Sequence, residues 1–109
     1  MRIRIRSSRL DGKAEAALAR RARLTLGRHE AAIEHVEIAF TRQESPSVAS
    51  DECHVTVRLR DGGEVLVSDD GRHPGRALLR AAWRIEQHIA LRRLRDRRPN
   101  GGSPVSRVS

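Results

Sequence analysis

Arg76, Arg80, Arg84, His88 and Arg92 recur every fourth residue. On a helix that spacing aligns them as one slanted stripe. A row of guanidinium groups does the chemistry of anion recognition, since each planar fork can give two parallel hydrogen bonds to a phosphate or carboxylate. Glu86 is the only acid between Arg72 and Arg95. Like charges four residues apart repel by a few tenths of a kcal/mol, so an ordinary solvated helix face mixes its signs. Residues 1–71 hold twelve basic and twelve acidic side chains, whereas 72–98 hold nine arginines against Glu86 and Asp96. The net charge of +8 is therefore concentrated near the C-terminus. A neutral body carrying one cationic helix suits a polyanion such as the phosphate spine of a folded nucleic acid.

Other reactive residues are sparse. Ser7, Ser8 and Ser45 lack a nearby histidine and carboxylate, and there is no Walker loop, H-E-x-x-H or paired-carboxylate motif. The expectation is a protein that is not an enzyme, with no cofactor and no small-molecule substrate. Cys53 is the only cysteine and falls in an alternating strand, so it reads as a small core residue and forms no intrachain disulfide. His35 and His54 are expected to face each other across neighbouring strands as a surface pair, with Cys53 on the opposite face and no metal site. Phe40 and Trp83 are the only aromatics, which favours recognition of backbone and shape over stacking on unpaired bases. Trp83, near Leu79 and off the core stripe, reads as a partly buried rim residue, with base stacking or a protein contact as its functional alternative. His88 would bind phosphate better at lower pH.

The elements that position these residues follow from periodicity. Residues 2–7 alternate, with Ile3 and Ile5 on one face and Arg2, Arg4 and Arg6 on the other, which predicts a half-buried strand. Asp11 N-caps a helix running to about Arg28, with Ala14, Leu18, Ala22 and Leu26 as its apolar line and Gly27 near its end. A second strand spans 33–43, with Val36, Ile38 and Phe40 inward. A polar loop broken by Pro46 covers 43–50, and a third strand spans 52–60 with Cys53, Val55, Val57 and Leu59 inward. Asp61-Gly62-Gly63 predicts a hairpin turn into a short fourth strand over 64–68, followed by a connection over 69–73. Pro74 opens a helix to about Arg95 that buries Leu78, Ala81, Ala82, Ile85 and Ile89. The fold class is α+β: a two-layer β-α-β-β-β-α sandwich, a four-stranded sheet with two helices packed on one face. The later three strands form an antiparallel meander, and the other sheet face is solvated and partly basic through Arg2, Arg4, Arg6, Arg58 and Arg60. Residues 1–97 read as one domain and 98–109 as a flexible tail. The N-terminus lacks the apolar run of a signal peptide and no segment reaches membrane-spanning length, so a cytoplasmic protein without a membrane partner is expected.

This order, with its basic final helix, resembles the ribosome hibernation promoting factor family, also called ribosome-associated inhibitor A or sigma-54 modulation proteins. The resemblance covers about residues 1–97 and is best from Gly63 to Gly71, Gly-Glu-Val-Leu-Val-Ser-Asp-Asp-Gly, and through the helix that follows. Family members carry a Gly-Glu-led strand there, then a Lys-Leu, Arg-Gln-Leu, Lys-x-Lys progression. Arg84-Ile85 stands at the first pair, Gln87-His88-Ile89 at the triplet, and Leu91 and Arg93 at the last two lysines. Arg84 and Arg93 keep the charge and Gln87 and Leu91 lose it, with Arg80, Arg92 and Arg95 in adjacent rows. The family's aromatic residue at the helix start is replaced by Pro74-Gly75.

The resemblance implies a cytoplasmic factor of the stress response and stationary phase that seats in the small ribosomal subunit, contacts its rRNA and stalls translation by occupying mRNA and tRNA sites. It also implies a short, single-domain form. The rRNA-binding residues expected are Arg76, Arg80, Arg84, His88, Arg92, Arg93 and Arg95, extended by Arg20, Arg21, Arg23 and Arg28 of the first helix. The alternatives are a general structured-RNA binder and a protein-interaction module docking an acidic partner through the C-terminal helix with Trp83 as anchor.

Overall fold

The computed structural model describes residues 1–7, 10–44 and 49–96. The elements run β1 (Arg2–Arg6), α1 (Gly12–Leu26), a 3-10 segment (Gly27–Ala32), β2 (Ile33–Glu44), β3 (Ala49–Leu59), β4 (Glu64–Gly71) and α2 (Pro74–Asp96). The sheet order is β1-β2-β3-β4. β1 pairs parallel to β2, and the other two pairs are antiparallel. A parallel neighbour needs a crossover, and α1 supplies it. Both helices lie on one face of the sheet, so the fold is the α+β sandwich expected. The tail expected over 98–109, and the tip of the loop at Pro46, lie outside the described residues.

Local chemistry explains the boundaries. Asp11 Oδ1 accepts the Ala14 N–H at 2.8 Å and caps α1. Gly27 does not end the helical path: it stays right-handed and leads into the 3-10 segment. Gly62 takes φ 96° in the turn between β3 and β4, where a side chain would be strained, and Asp61 Oδ1 accepts the Gly63 N–H at 2.7 Å. His73 opens α2: its carbonyl accepts the Ala77 N–H at 3.1 Å and its Nδ1 accepts the Arg76 N–H at 3.3 Å.

Three expectations need correction. The β2–β3 hairpin is longer than its sequence suggested, with Gln43 opposite Ser50 and Glu44 opposite Ala49. β3 also offers Cys53, Glu52 and Asp51 as partners to Asp69, Asp70 and Gly71, which extend β4 instead of forming a connection. Gly71 is required there, since a Cβ would stand 2.7 Å from the Ala77 nitrogen. Finally, His35 and His54 do not face each other: His35 pairs with Arg58 and His54 with Ala39.

One contiguous core joins the layers. Leu18, Ala22 and Leu26 of α1 and Ala77, Leu78, Ala81, Ile85 and Ile89 of α2 pack on Val36, Ile38, Phe40, Cys53, Val55 and Val57 of the sheet. Ile33 and Val36 are both fully buried although they differ in parity. A register shift between Ile33 and His35 resolves this, because a bulge turns one extra residue without reversing the rest of the strand. Burial also pushes the Cys53 thiol up to about 12, so it is a packing residue and a poor nucleophile.

Candidate nucleic-acid interface

α2 places its residues on three faces. The core face carries the apolar stripe named above. The flank toward β4 carries the arginines spaced by four, and the flank toward α1 carries Glu86 and Arg93. Arg76, Arg80, Arg84, His88, Arg93 and Arg95 are exposed, and Arg92 is half-buried. Arg76 also sits at the positive end of the helix dipole, in a first turn with no acid.

That surface is less bare than its sequence suggests. Asp69 points inward from β4 beneath α2 and meets two arginines at once, Arg80 Nε at 3.3 Å and Arg84 at 3.6 Å. Arg84 also donates to the Ser68 carbonyl at 3.0 Å. Asp61, in the hairpin turn, takes Arg92 at 3.4 Å. The Gly63 N–H, with Arg92 beside it, holds the Asp61 carboxyl below the usual carboxylate range. Sequence reading missed both acids. Asp69 is found only when β4 is extended, because alternation from Val65 and Val67 then carries it to the helix side.

α1 contributes less uniformly. Arg20, Arg21 and Arg23 of α1 and Arg28 of the 3-10 segment that follows are all exposed, but their contacts divide between the β1 side and the α2 side. Arg23 donates to the Met1 carbonyl at 3.4 Å, on the β1 side. Arg28 pairs with Glu86 of α2 at 3.4 Å. Arg21 reaches the start of α2, its Nη1 lying 3.6 Å from where a Gly75 Cβ would stand. Arg21 and Arg28 thus adjoin the α2 surface, and Arg23 does not.

Between the helices, Arg93 Nη1 lies 3.2 Å from His29 Nδ1. Arginine can only donate, so Nδ1 is the acceptor and the ring proton sits on Nε2. That Nε2 is buried without a partner among the described residues. Burial lowers the His29 pKa below 6.5, with Arg93 and Arg28 acting in the same direction and Glu86 opposing them.

The opposite sheet face mixes its signs, which corrects the expectation of a partly basic face. Arg6 lies 3.9 Å from Glu37, Arg58 lies 3.7 Å from Glu64, and His54 bridges Glu52 at 2.9 Å and Ser68 at 2.8 Å. No group of three His, Cys, Asp or Glu among the described residues is arranged to hold a metal ion. No helix there is long and apolar enough to cross a membrane. Trp83 is 59% exposed, not partly buried at a rim.

No family model and no curated protein matches the sequence. Solved structures do match its fold. A ribosomal subunit interface protein from Coxiella burnetii superposes with a TM-score of 0.64 at 14% identity, covering 86% of this chain and 99% of that one. The N-terminal domain of Protein Y from Thermus thermophilus superposes with a TM-score of 0.56 at 15% identity, covering 81% of this chain and 91% of that one. The chain therefore shares the fold of these two proteins over most of its length.

Proposed function

We propose that this chain is a ribosome-associated hibernation factor that binds small-subunit rRNA through the outer faces of α1 and α2 and inhibits translation by occupying mRNA and tRNA sites. The observation that carries this reading is the concentration of arginine on α2 in a fold shared with a ribosomal subunit interface protein and a Protein Y domain. Contacts would come from Arg76, Arg80, Arg84, His88, Arg92, Arg93 and Arg95, with Arg20, Arg21 and Arg28 at the margin. Arg23, held toward β1, is peripheral. No bond is made or broken: occupation alone excludes the competing ligands, and the protein works in the cytoplasm during stress or stationary phase. About six phosphate contacts would give a log–log salt slope near −5 on duplex-like RNA.

The test is the double charge reversal Arg80→Glu with Arg84→Glu, followed by ribosome binding. The expected outcome is loss of binding, with the circular dichroism spectrum unchanged because both side chains are half-exposed. Arg58→Glu on the opposite sheet face should bind as the parent does. Retention of binding by the double variant would rule out α2 as the interface.

A further inference from the structure

The outward side of α2 carries a second feature that phosphate recognition does not use. Leu79, Trp83, Leu91 and Leu94 are 52–62% exposed, although large apolar side chains ordinarily avoid water. At 100° per residue, Leu79, Trp83, Ala90 and Leu94 form one ridge along the helix, about 22 Å from end to end at 1.5 Å per residue. α1 adds to it. Leu24, 77% exposed, lies on the outward face of α1, one turn beyond Arg21, whose side chain reaches the start of α2.

At the ridge's C-terminal end is a pocket of about 230 Å³ lined by His29, Ala90, Arg93 and Leu94. It combines apolar walls with the Arg93 guanidinium and with His29, whose buried Nε2–H lacks a partner among the described residues. Such a pocket suits a side chain ending in a carboxylate.

We infer that this ridge docks an acidic amphipathic helix of a protein partner, its apolar face on Leu79, Trp83 and Leu94 and one carboxylate in the pocket beside Arg93 and His29. Charge complementarity selects that occupant. Arginines border the ridge on both sides, and Glu86, the acid on the α1 side of α2, is engaged by Arg28. A second copy of this chain, with its net charge of +8, would set like charges against each other. Nucleic acid would use Trp83 but leaves the leucines without a role, since one indole cannot stack a run of bases over this length. A helix with anchors spaced as Leu79, Trp83 and Leu94 are, at i, i+4 and i+15, spans the ridge. Arg80 adjoins the ridge, so an acidic helix docked there would cover part of the proposed RNA surface. The docking proposal does not depend on RNA being the other ligand.

Trp83 is the only tryptophan and there is no tyrosine, so intrinsic fluorescence reports on the ridge alone. The probe is a 20-residue synthetic helix with leucine at heptad positions a and d and glutamate on its flanks. Its scrambled isomer and a single-stranded oligouridylate serve as comparisons. The expected result is a saturable blue shift of Trp83 emission with the amphipathic peptide only, weakened about tenfold or more by Leu79→Ser with Leu94→Ser, as for loss of packed anchors. Both residues are exposed and lie outside the proposed RNA-binding set. No shift, an equal response to the scrambled isomer, or a response unaffected by the double variant would overturn the proposal. A response to oligouridylate alone would do so too and would assign Trp83 to a nucleobase. Ribosome sedimentation of the same variants reads the RNA interface separately.

Discussion

Asp69 sets how much charge α2 can offer. It lies nearly covered between β4 and the helix, within ion-pair range of Arg80 and Arg84, whose own side chains are about half exposed. Exposed pairs contribute about 0–1 kcal/mol, so a phosphate can displace this carboxylate, but only by competing with it. Asp69→Asn should therefore strengthen ribosome binding at about 0.15 M salt and steepen the log–log salt slope by about one. Equilibrium binding across a salt series would check this. An unchanged slope would mean that the carboxylate does not compete for those arginines. His29 makes a second prediction. Its folded pKa is depressed below 6.5 by burial, so both folded and unfolded chains hold it neutral well above 6.5 and its full contribution is present there. As pH falls through 6.5 the unfolded chain takes up a proton first, and stability declines until the folded pKa is passed. Thermal unfolding from pH 7.5 downward should show the melting temperature falling below pH 6.5, and His29→Gln should flatten that part of the curve.

At the scale of elements, α2 does three jobs with one periodicity: a core stripe, an arginine flank and an outward apolar ridge. The core stripe anchors the other two. Ile85 is fully buried at its centre, and Ile85→Ala should cost about 2–5 kcal/mol, measurable by denaturant unfolding. A smaller loss would mean that the layers pack more loosely than described. This periodicity was legible in the chain, as were the inward residues of β2 and β3, the Asp11 cap and the glycine turn. Each depends on residues near one another in sequence. What escaped depends on pairing. Ala49, Ser50 and Asp51 carry no strand signal, yet β2 pairs with all three and β4 pairs with Asp51. Pairing with Asp51, Glu52 and Cys53 lengthens β4 and brings Asp69 under the helix, and the β2–β3 register separates His35 from His54. The bulge that lets Ile33 join Val36 in the core is likewise a property of the pair. The exposure of Trp83 depends on how closely α1 approaches α2, which neither helix encodes alone.

The whole molecule divides its two faces by charge. The sheet face pairs charges across its strands, while the helix face concentrates arginine on α2, where Asp61, Asp69 and Glu86 engage some of it. A layered sandwich with one such face is a rigid electrostatic plate, suited to a surface already shaped to receive it. The most direct test of the ribosome reading is sucrose-gradient sedimentation of the purified protein with intact ribosomes and separated subunits, at low and high salt. Migration with intact ribosomes and with the small subunit at low salt, lost at high salt, is the predicted result. Protein remaining at the top of every gradient at low salt, or travelling with the large subunit alone, would contradict it.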